Sequence, residues 1–195
     1  TNKPIFRTTK WHDGKLWICG AWENGVDPRD TSKKRLNVYW YMWTWSPTSG
    51  WEPFAWFHSA AGGNGPDGKI TDFLWLPDGR MVVSGEFTRL DNPGGIMYHR
   101  VDALAVYDPN EPSANKWKPL GGFQYDGTAG PGGSIQSIAY DEKNNDLYMG
   151  GSFGGITDAR AHRKYPHSPG VHRYDFDTQS TEPMAPGLQR GACRK

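Results

Sequence analysis

Apolar residues in this chain occur in short stretches that turn-forming residues separate. In the first third, apolar-rich stretches cover residues 5–11, 15–22, 36–45 and 51–57, with Asp13-Gly14 and "SPTSG" between the outer pairs of stretches. Stretches of this length between Gly, Pro and Asp are typical of strands, and no segment has the 3.6-residue period of an amphipathic helix. The pattern therefore predicts four strands here and an all-β chain.

The same order of elements recurs twice further along the chain. Similar stretches open at Ile5, Ile70 and Ile135, at intervals of 65 residues. Each copy then has a glycine followed two residues later by an aromatic residue, and later a Pro-containing stretch, "WEPF", "WKPL" or "TEPM". The matched pairs are Gly20 and Trp22, Gly85 and Phe87, and Gly151 and Phe153.

A repeated unit of four short strands is the signature of a β-propeller blade. We therefore expect one propeller segment over residues 1–195, with blades at 1–64, 65–129 and 130–195 of about 65 residues each. Propellers typically close with four to eight blades, and three blades leave two open sheet edges. The chain is then a fragment, a dimerising half-propeller or one piece of a larger assembly, with other subunits or another copy of itself as partner.

Two stretches carry a resemblance to a known family. "DGRMVVSGEF" from Asp78 and "DLYMGGSFGG" from Asp146, with the strands that follow them, resemble kelch-related repeats of the galactose-oxidase central-domain type. They are also similar to delta-sixty repeats and to the propellers of fungal cortical-marker proteins. The resemblance implies a propeller that binds, scaffolds or adheres, since enzymes are a minority among such proteins. We expect an extracytoplasmic location, whether secreted, periplasmic or at the cell surface.

Charge and composition exclude several classes of protein. The net charge is +1 and the pI about 7.7, so the chain lacks the overall basic field of a nucleic-acid-binding protein. The most apolar stretch, "VYWYMWTW", has eight residues and is too short for a membrane helix. Cys19 and Cys193 fit no disulfide framework or zinc motif, and their pairing stays open.

Basic residues collect in the long loops that follow each motif aromatic residue. If these loops converge on one rim, they form a basic face suited to an acidic polysaccharide, an acidic protein surface or lipid headgroups. The alternative is a set of solvated loops neutralised by Asp27, Asp30, Asp91 and Asp158. The basic candidates are Arg29, Lys33, Lys34, Arg35, Arg89, His99, Arg100, Arg160, Arg163 and Lys164.

Tryptophan is concentrated at the start of the chain, with eight of ten residues before position 57. Alternation in "NVYWYMWTW" makes both faces of that strand apolar, so we expect both to be covered. Packing between blades explains this pattern. The alternative is an aromatic platform for sugar rings, or a docking surface for another subunit, formed by Trp40, Tyr41, Trp43 and Trp45.

Motifs for catalysis, metals and cofactors are sparse. The glycines of "GGSFGG" precede no helix, no Gly-x-Ser-x-Gly stretch occurs, and the copper-radical residues of the resembling oxidase cannot be identified. His162, His167 and His172 lack a recognised metal-ligand spacing, and "DEKNND" from Asp141 fits a hairpin turn better than a calcium loop.

These observations predict a non-enzymatic binding, scaffolding or accessory subunit of a larger extracytoplasmic complex. No catalytic residue, metal or cofactor is assigned. The alternative is a carbohydrate-binding or carbohydrate-active propeller that uses the tryptophan-rich first blade.

Overall fold

The structure is a computed structural model that describes residues 5–23, 26–27, 30–34, 38–58, 63–94, 98–99, 101, 103–120, 123–125, 134–152, 156–158, 163–165 and 170–184. Within these ranges the regular structure is β-strand, apart from one turn of 3₁₀-helix at Ser113–Asn115. The expected all-β class is therefore confirmed.

Strands are numbered along the chain. The first copy contains β1 (Ile5–His12), β2 (Lys15–Glu23), β3 (Val26–Asp27), β4 (Asp30–Lys34), β5 (Val38–Ser46) and β6 (Gly50–His58). The second contains β7 (Gly65–Pro66), β8 (Lys69–Trp75), β9 (Met81–Glu86), β10 (Arg89–Asp91), β11 (Tyr98–His99), β12 (Leu104–Tyr107), β13 (Trp117–Pro119) and β14 (Phe123–Tyr125). The third contains β15 (Ser134–Asp141), β16 (Asp146–Ser152), β17 (Ile156–Asp158), β18 (Arg163–Tyr165), β19 (Val171–Asp175) and β20 (Ser180–Pro183).

Three four-stranded antiparallel sheets carry the fold. Their strand orders are β1-β2-β5-β6, β8-β9-β12-β13 and β15-β16-β19-β20, so in each sheet the four long strands pair in chain order. The short strands form small separate sheets, β3-β4, β7-β10-β11 and β14-β17-β18. β7 precedes the second sheet and pairs with β10, and β14 precedes the third sheet and pairs with β17. β10 and β17 both lie in the insertion between the second and third long strands of those sheets.

A glycine in the second strand of each sheet lies opposite a β-bulge in the first strand. The register pairs Phe6 with Gly20, Ile70 with Gly85 and Ile135 with Gly151, and it shifts directly afterwards in all three sheets. A Cβ atom on any of these glycines would overlap the facing carbonyl oxygen of the first strand. The repeated glycine therefore permits a close backbone approach, and Phe6, rather than Ile5, is the structural equivalent of Ile70 and Ile135.

The three sheets stack in order through their faces. We call the face of a sheet that points towards the next copy its forward face, and the opposite face its rear face. Cys19, Met42 and Ala55 on the forward face of the first sheet share a buried cluster with the rear face of the second, which includes Phe73 and Trp117. A second buried cluster joins the forward face of the second sheet to the rear face of the third; it includes Val82, Leu104, Leu120, Leu147 and Met149.

The carboxylate of Asp72 connects all three sheets. It lies in the bulge of β8 with its side chain 1% exposed, and its Oδ1 is 3.2 Å from Nζ of Lys10 in the first sheet. Its Oδ2 accepts hydrogen bonds from the N–H of Ile138 at 3.1 Å and the hydroxyl of Ser137 at 3.3 Å, both in the third sheet. The N–H of Phe73 also donates to Oδ1, at 2.9 Å. Burial removes the carboxylate from water, and the ion pair and the three hydrogen bonds compensate the hydration that it loses.

Two threonines reinforce the same junction. The hydroxyl of Thr8 donates to the carbonyl of Thr71 at 3.0 Å, and the hydroxyl of Thr71 donates to the carbonyl of Ile135. Side-chain hydrogen bonds therefore link the first strand of the first sheet to that of the second, and the first strand of the second sheet to that of the third.

Replacing Asp72 with alanine should strongly destabilise the fold. The change leaves the buried N–H of Ile138 without its acceptor and Lys10 without its counter-charge, and removing one partner of a buried pair costs about 3 kcal/mol. The free energy of unfolding in urea would measure the loss. Asp78→Ala is the matched control, because the Asp78 side chain is 50% exposed and its ion pair with Arg80 is worth about 1 kcal/mol or less. Equal losses in the two variants would show that Asp72 does not hold the sheets together.

Candidate functional site

The rear face of the first sheet carries a row of large apolar side chains. Across the four strands of this sheet, Trp11, Leu16, Trp45 and Trp51 pair in one row. Ile18 and Trp43 pair in the next row, and Phe6 lies at the bulge on the same face as its equivalents Ile70 and Ile135. We call these seven residues the tryptophan face.

The equivalent rows of the other sheets are buried or half-buried. Trp75, Met81, Tyr107 and Trp117 form the row in the second sheet. Tyr140, Leu147, Tyr174 and Thr181 form it in the third. Trp51 is 47% exposed, whereas its equivalents Trp117 and Thr181 are 0% and 3% exposed. Comparison of equivalent residues therefore shows how the first sheet differs from the other two. In the described part of the chain, no sheet stacks on its rear face.

Exposure is greatest around the edge of the tryptophan face. Phe6 is 52% exposed and Trp11 is 62% exposed, while the equivalents of Phe6 in the other sheets are fully buried. The centre differs, because Ile18 and Trp43 are buried and pack with Leu16 and Trp56 of their own sheet. The result is a firm apolar centre with exposed aromatic rings around it, which is the kind of patch that marks an interaction site.

The forward face of the third sheet is the second surface without a stacked neighbour in the described ranges. Its row of cross-strand partners is Ala139, Tyr148, Arg173 and Glu182. Arg173 bridges two carboxylates, with Nη1 at 3.1 Å from Asp146 and Nη2 at 2.7 Å from Glu182. Met184 lies beside this row and is 46% exposed, whereas its equivalent Leu120 is buried against the third sheet.

The predicted aromatic platform is divided between the two faces of the first sheet. Tyr41 is buried in the cluster with the second sheet, and its hydroxyl donates to the carbonyl of Asp67 at 3.1 Å. Trp43 and Trp45 belong to the tryptophan face, where the ring of Trp45 is 6.5 Å from that of Trp51. Irregular pairing between Trp40 and Trp43 breaks the simple alternation expected from sequence. Trp40 is described by its backbone, which pairs with Trp22 and Trp56.

The predicted basic residues fall on three small sheets. Lys33 and Lys34 lie in β4, Arg89 in β10, His99 in β11, and Arg163 and Lys164 in β18. Arg29, Arg35, Arg100 and Arg160 lie outside the described residues. His99 is the cross-strand neighbour of Arg89, and Asp158 that of Arg163. Arg89 therefore has a second basic residue opposite it, whereas Arg163 has an acidic residue opposite it.

Arg89 already has an ion-pair partner within the chain. Its Nε is 3.0 Å from Oδ2 of Asp67, and the backbone N–H groups of Thr88 and Arg89 both donate to Oδ1 at 2.8 Å. These contacts hold β7 against β10, where Asp67 follows β7 directly. Arg89 therefore helps to fix the small sheet, although 41% of its side chain stays exposed.

An aromatic groove of about 220 Å³ lies between the first and second sheets, at the end where the β1-β2 and β8-β9 turns lie. The ring of Trp17 packs edge-on against Phe54 at 4.8 Å and against Trp75 at 5.3 Å, and His12 stacks on Trp75 at 3.8 Å. Asp13 and Lys15 supply charged groups to the same groove. Sequence analysis did not single out this groove, because its walls come from different copies.

The candidate metal and calcium residues that the structure describes lie in a strand and in a turn. His172 lies in β19 and is fully buried, while His162 and His167 lie outside the described residues. Asp141 begins the β15-β16 turn, where a side-chain hydrogen bond from Asn144 and backbone N–H groups lower the pKa of its carboxyl. Within the described ranges, no group of three or more His, Cys, Asp or Glu side chains is placed to hold a metal ion.

The chain matches no protein-family model and no curated protein. Among the residues that the structure describes, no helix has the length and apolar character needed to cross a membrane.

Replacing the equivalent tryptophans Trp51 and Trp117 with alanine should separate a surface role from a core role. At low protein concentration, Trp51→Ala should lower the free energy of unfolding by about 1 kcal/mol or less, because the side chain is half exposed. Trp117→Ala should lower it by about 3–5 kcal/mol, because it opens a cavity and removes the indole N–H···Asn64 hydrogen bond. Urea unfolding followed by far-UV circular dichroism compares the two. Losses of similar size would show that the rear face of the first sheet is covered like the others.

Proposed function

We propose that this chain is a non-enzymatic propeller segment that binds other proteins and serves as a scaffold or accessory subunit of an extracytoplasmic complex. The observation that carries the proposal is the tryptophan face, where the exposed Phe6 and Trp51 occupy positions that the other two sheets bury. Trp is enriched at the centres of protein interfaces, and a contiguous exposed apolar patch marks an interaction site. The repeats that resemble kelch-related propellers support the same role.

The basic loops offer a second contact surface in this proposal. Lys33, Lys34, Arg163 and Lys164 lie on short strands inserted at the same point of two copies, between the second and third long strands. A partner with an acidic surface would be attracted there, and such attraction weakens as salt is added.

A double variant tests the docking role of the tryptophan face. Immobilised wild-type protein and Trp11→Ser/Trp51→Ser protein would each be exposed to an extract of the source cells, and bound proteins identified by mass spectrometry after cross-linking. We expect specific partners, copies of this chain included, to be retained by the wild type and lost from the double variant, because two large apolar anchors are gone. Lys143→Ser, in an exposed turn, is the control and should retain the wild-type set. Identical retention by wild type and double variant would refute the proposal.

The aromatic groove favours carbohydrate binding as a second candidate function. Trp17, Phe54 and Trp75 supply apolar ring surface, and Asp13 and Lys15 supply hydrogen-bonding groups beside it, which is the usual chemistry of a small-ligand pocket. The site differs from the sequence-based platform, because its residues come from β2, β6 and β8 rather than from β5.

Oligosaccharide titrations distinguish the carbohydrate candidate. Intrinsic tryptophan fluorescence should shift on addition of a neutral oligosaccharide that enters the groove, and Trp75→Ala should abolish the shift. Binding that is confined to acidic glycans, and that salt and Lys33→Ala/Lys34→Ala/Arg35→Ala both remove, would instead locate the site on the basic loops. A flat response across neutral and acidic glycans would refute this candidate.

A further inference from the structure

We propose that the tryptophan face of one copy of this chain docks on the forward face of the third sheet of a second copy, so that two copies close a ring of six sheets. This inference rests on the proposed function, because it names the partner of the same face. It follows from how the molecule builds its two internal interfaces.

Both internal interfaces join the forward face of one sheet to the rear face of the next. The first sheet meets the second in this way, and the second meets the third, with the buried clusters between them. The described chain leaves one rear face, on the first sheet, and one forward face, on the third. A second copy presents the complement of each, on sheets that have the same strand order as those at the internal interfaces.

Exposure at the two surfaces agrees with this pairing. Phe6 on the rear face and Met184 on the forward face are about half exposed, and their equivalents at the internal interfaces are buried. Both surfaces therefore contain an apolar position that a neighbouring sheet covers at the internal interfaces. A head-to-tail contact covers both kinds of position at once.

The charge on the forward face also has a precedent inside the molecule. At the first internal interface, Lys10 on the forward face lies over the ring of Phe73 on the rear face, with Nζ 5.2 Å from the ring centre. On the third sheet, Ala139 holds the position of Lys10, and Arg173 lies in the same forward row two strands away, at the position of Thr44. In the proposed contact, Arg173 would face the tryptophan face of a second copy. A guanidinium over indole rings is a favourable cation–π arrangement, so the polar row is compatible with a tryptophan-rich partner.

Two copies satisfy both surfaces with closed symmetry. Each copy contributes one rear and one forward face, so a twofold ring contains two identical interfaces and leaves no open face. Six sheets lie within the four to eight of known propellers. A symmetric contact between two tryptophan faces would instead leave both forward faces, with Met184, uncovered.

Three variants that each introduce glutamate test the arrangement. Trp11→Glu places a charge on the rear face, Met184→Glu places one on the forward face, and Lys143→Glu places one in an exposed turn as the control. Analytical ultracentrifugation of the wild type and of Lys143→Glu should give about twice the 21.9 kDa of one chain. Trp11→Glu and Met184→Glu should each raise the dimer dissociation constant roughly 30-fold or more, as loss of an interface anchor does.

Mixing the two interface variants provides the decisive measurement. In an equimolar mixture, the intact rear face of Met184→Glu can dock on the intact forward face of Trp11→Glu, so dimers should return at a concentration where neither variant dimerises alone. A monomeric wild type, a dimer that either variant leaves unchanged, or a mixture that stays monomeric would each overturn the proposal. A far-UV circular dichroism spectrum equal to that of the wild type and a cooperative thermal transition show that the variants are folded, although a variant that no longer dimerises should unfold at a lower temperature.

A measurement on the wild type alone keeps the test valid if a variant does not fold. Amide hydrogen exchange of β1 and β20 should slow on going from dilute to concentrated protein, while β9, inside the second sheet, stays constant. Exchange that is independent of concentration in β1 and β20 would overturn the second copy as partner. A monomeric wild type that still captures another protein through Trp11 and Trp51 would overturn this inference and leave the proposed function standing.

Discussion

The structure depends on one buried carboxylate at the junction of three sheets. Asp72 receives Lys10 from the first sheet and two donors, Ser137 and the N–H of Ile138, from the third. A buried carboxylate is costly unless it is fully compensated, and here the compensation requires all three sheets to be in place. The stacking of the sheets is thus coupled to the satisfaction of a single charge, as well as to the apolar area between them.

The bulge that holds Asp72 follows from the repeated glycine. A glycine in the second strand lets the first strand approach until a side chain would overlap the carbonyl opposite, and the register shifts by one residue at that point. The shift brings Thr71 and Asp72 side by side in the narrow gap between first strands, where one donates to the third sheet and the other receives from both neighbours. The other two copies have Thr8 and Ser137 at the position of Asp72, so only the middle sheet carries the charge.

Much of the architecture could be predicted from sequence, because it depends on local patterns. The four strands expected before residue 58 agree with β1, β2, β5 and β6 to within about two residues at each end, since turn residues mark their limits. The matched stretches around Pro53, Pro119 and Pro183 form the last strand of each sheet, as their repetition indicated. Asp72 was missed, because a single acidic residue in a strand gives no sign of its partners 62 and 66 residues away.

The two faces of "NVYWYMWTW" could not be assigned from alternation, because bulges interrupt the pairing of β5 with β6 between Trp40 and Trp43. Tyr41 consequently joins the core towards the second sheet, although period-two alternation placed it with Trp43 and Trp45. The groove lined by Trp17 and Trp75 was also inaccessible to sequence reasoning, since it requires the relative placement of two copies. The repeated "WEPF" and "WKPL" show from sequence that Trp51 and Trp117 are equivalent. The structure adds that Trp117 is buried and Trp51 is half exposed, which identifies the tryptophan face.

The aromatic rows of the first two sheets differ in their neighbours rather than in their residues. The rear row of the second sheet contains Trp75, Tyr107 and Trp117, and the first sheet has Trp11, Trp45 and Trp51 at the equivalent positions. Trp117 is fully buried in the cluster that joins the first two sheets, whereas Trp51 is 47% exposed. Large rigid rings lose little conformational freedom when they are covered, so a row of this kind suits a neighbour from the same chain or from a separate molecule. A rear row built like an internal one is what the proposed contact between two copies requires.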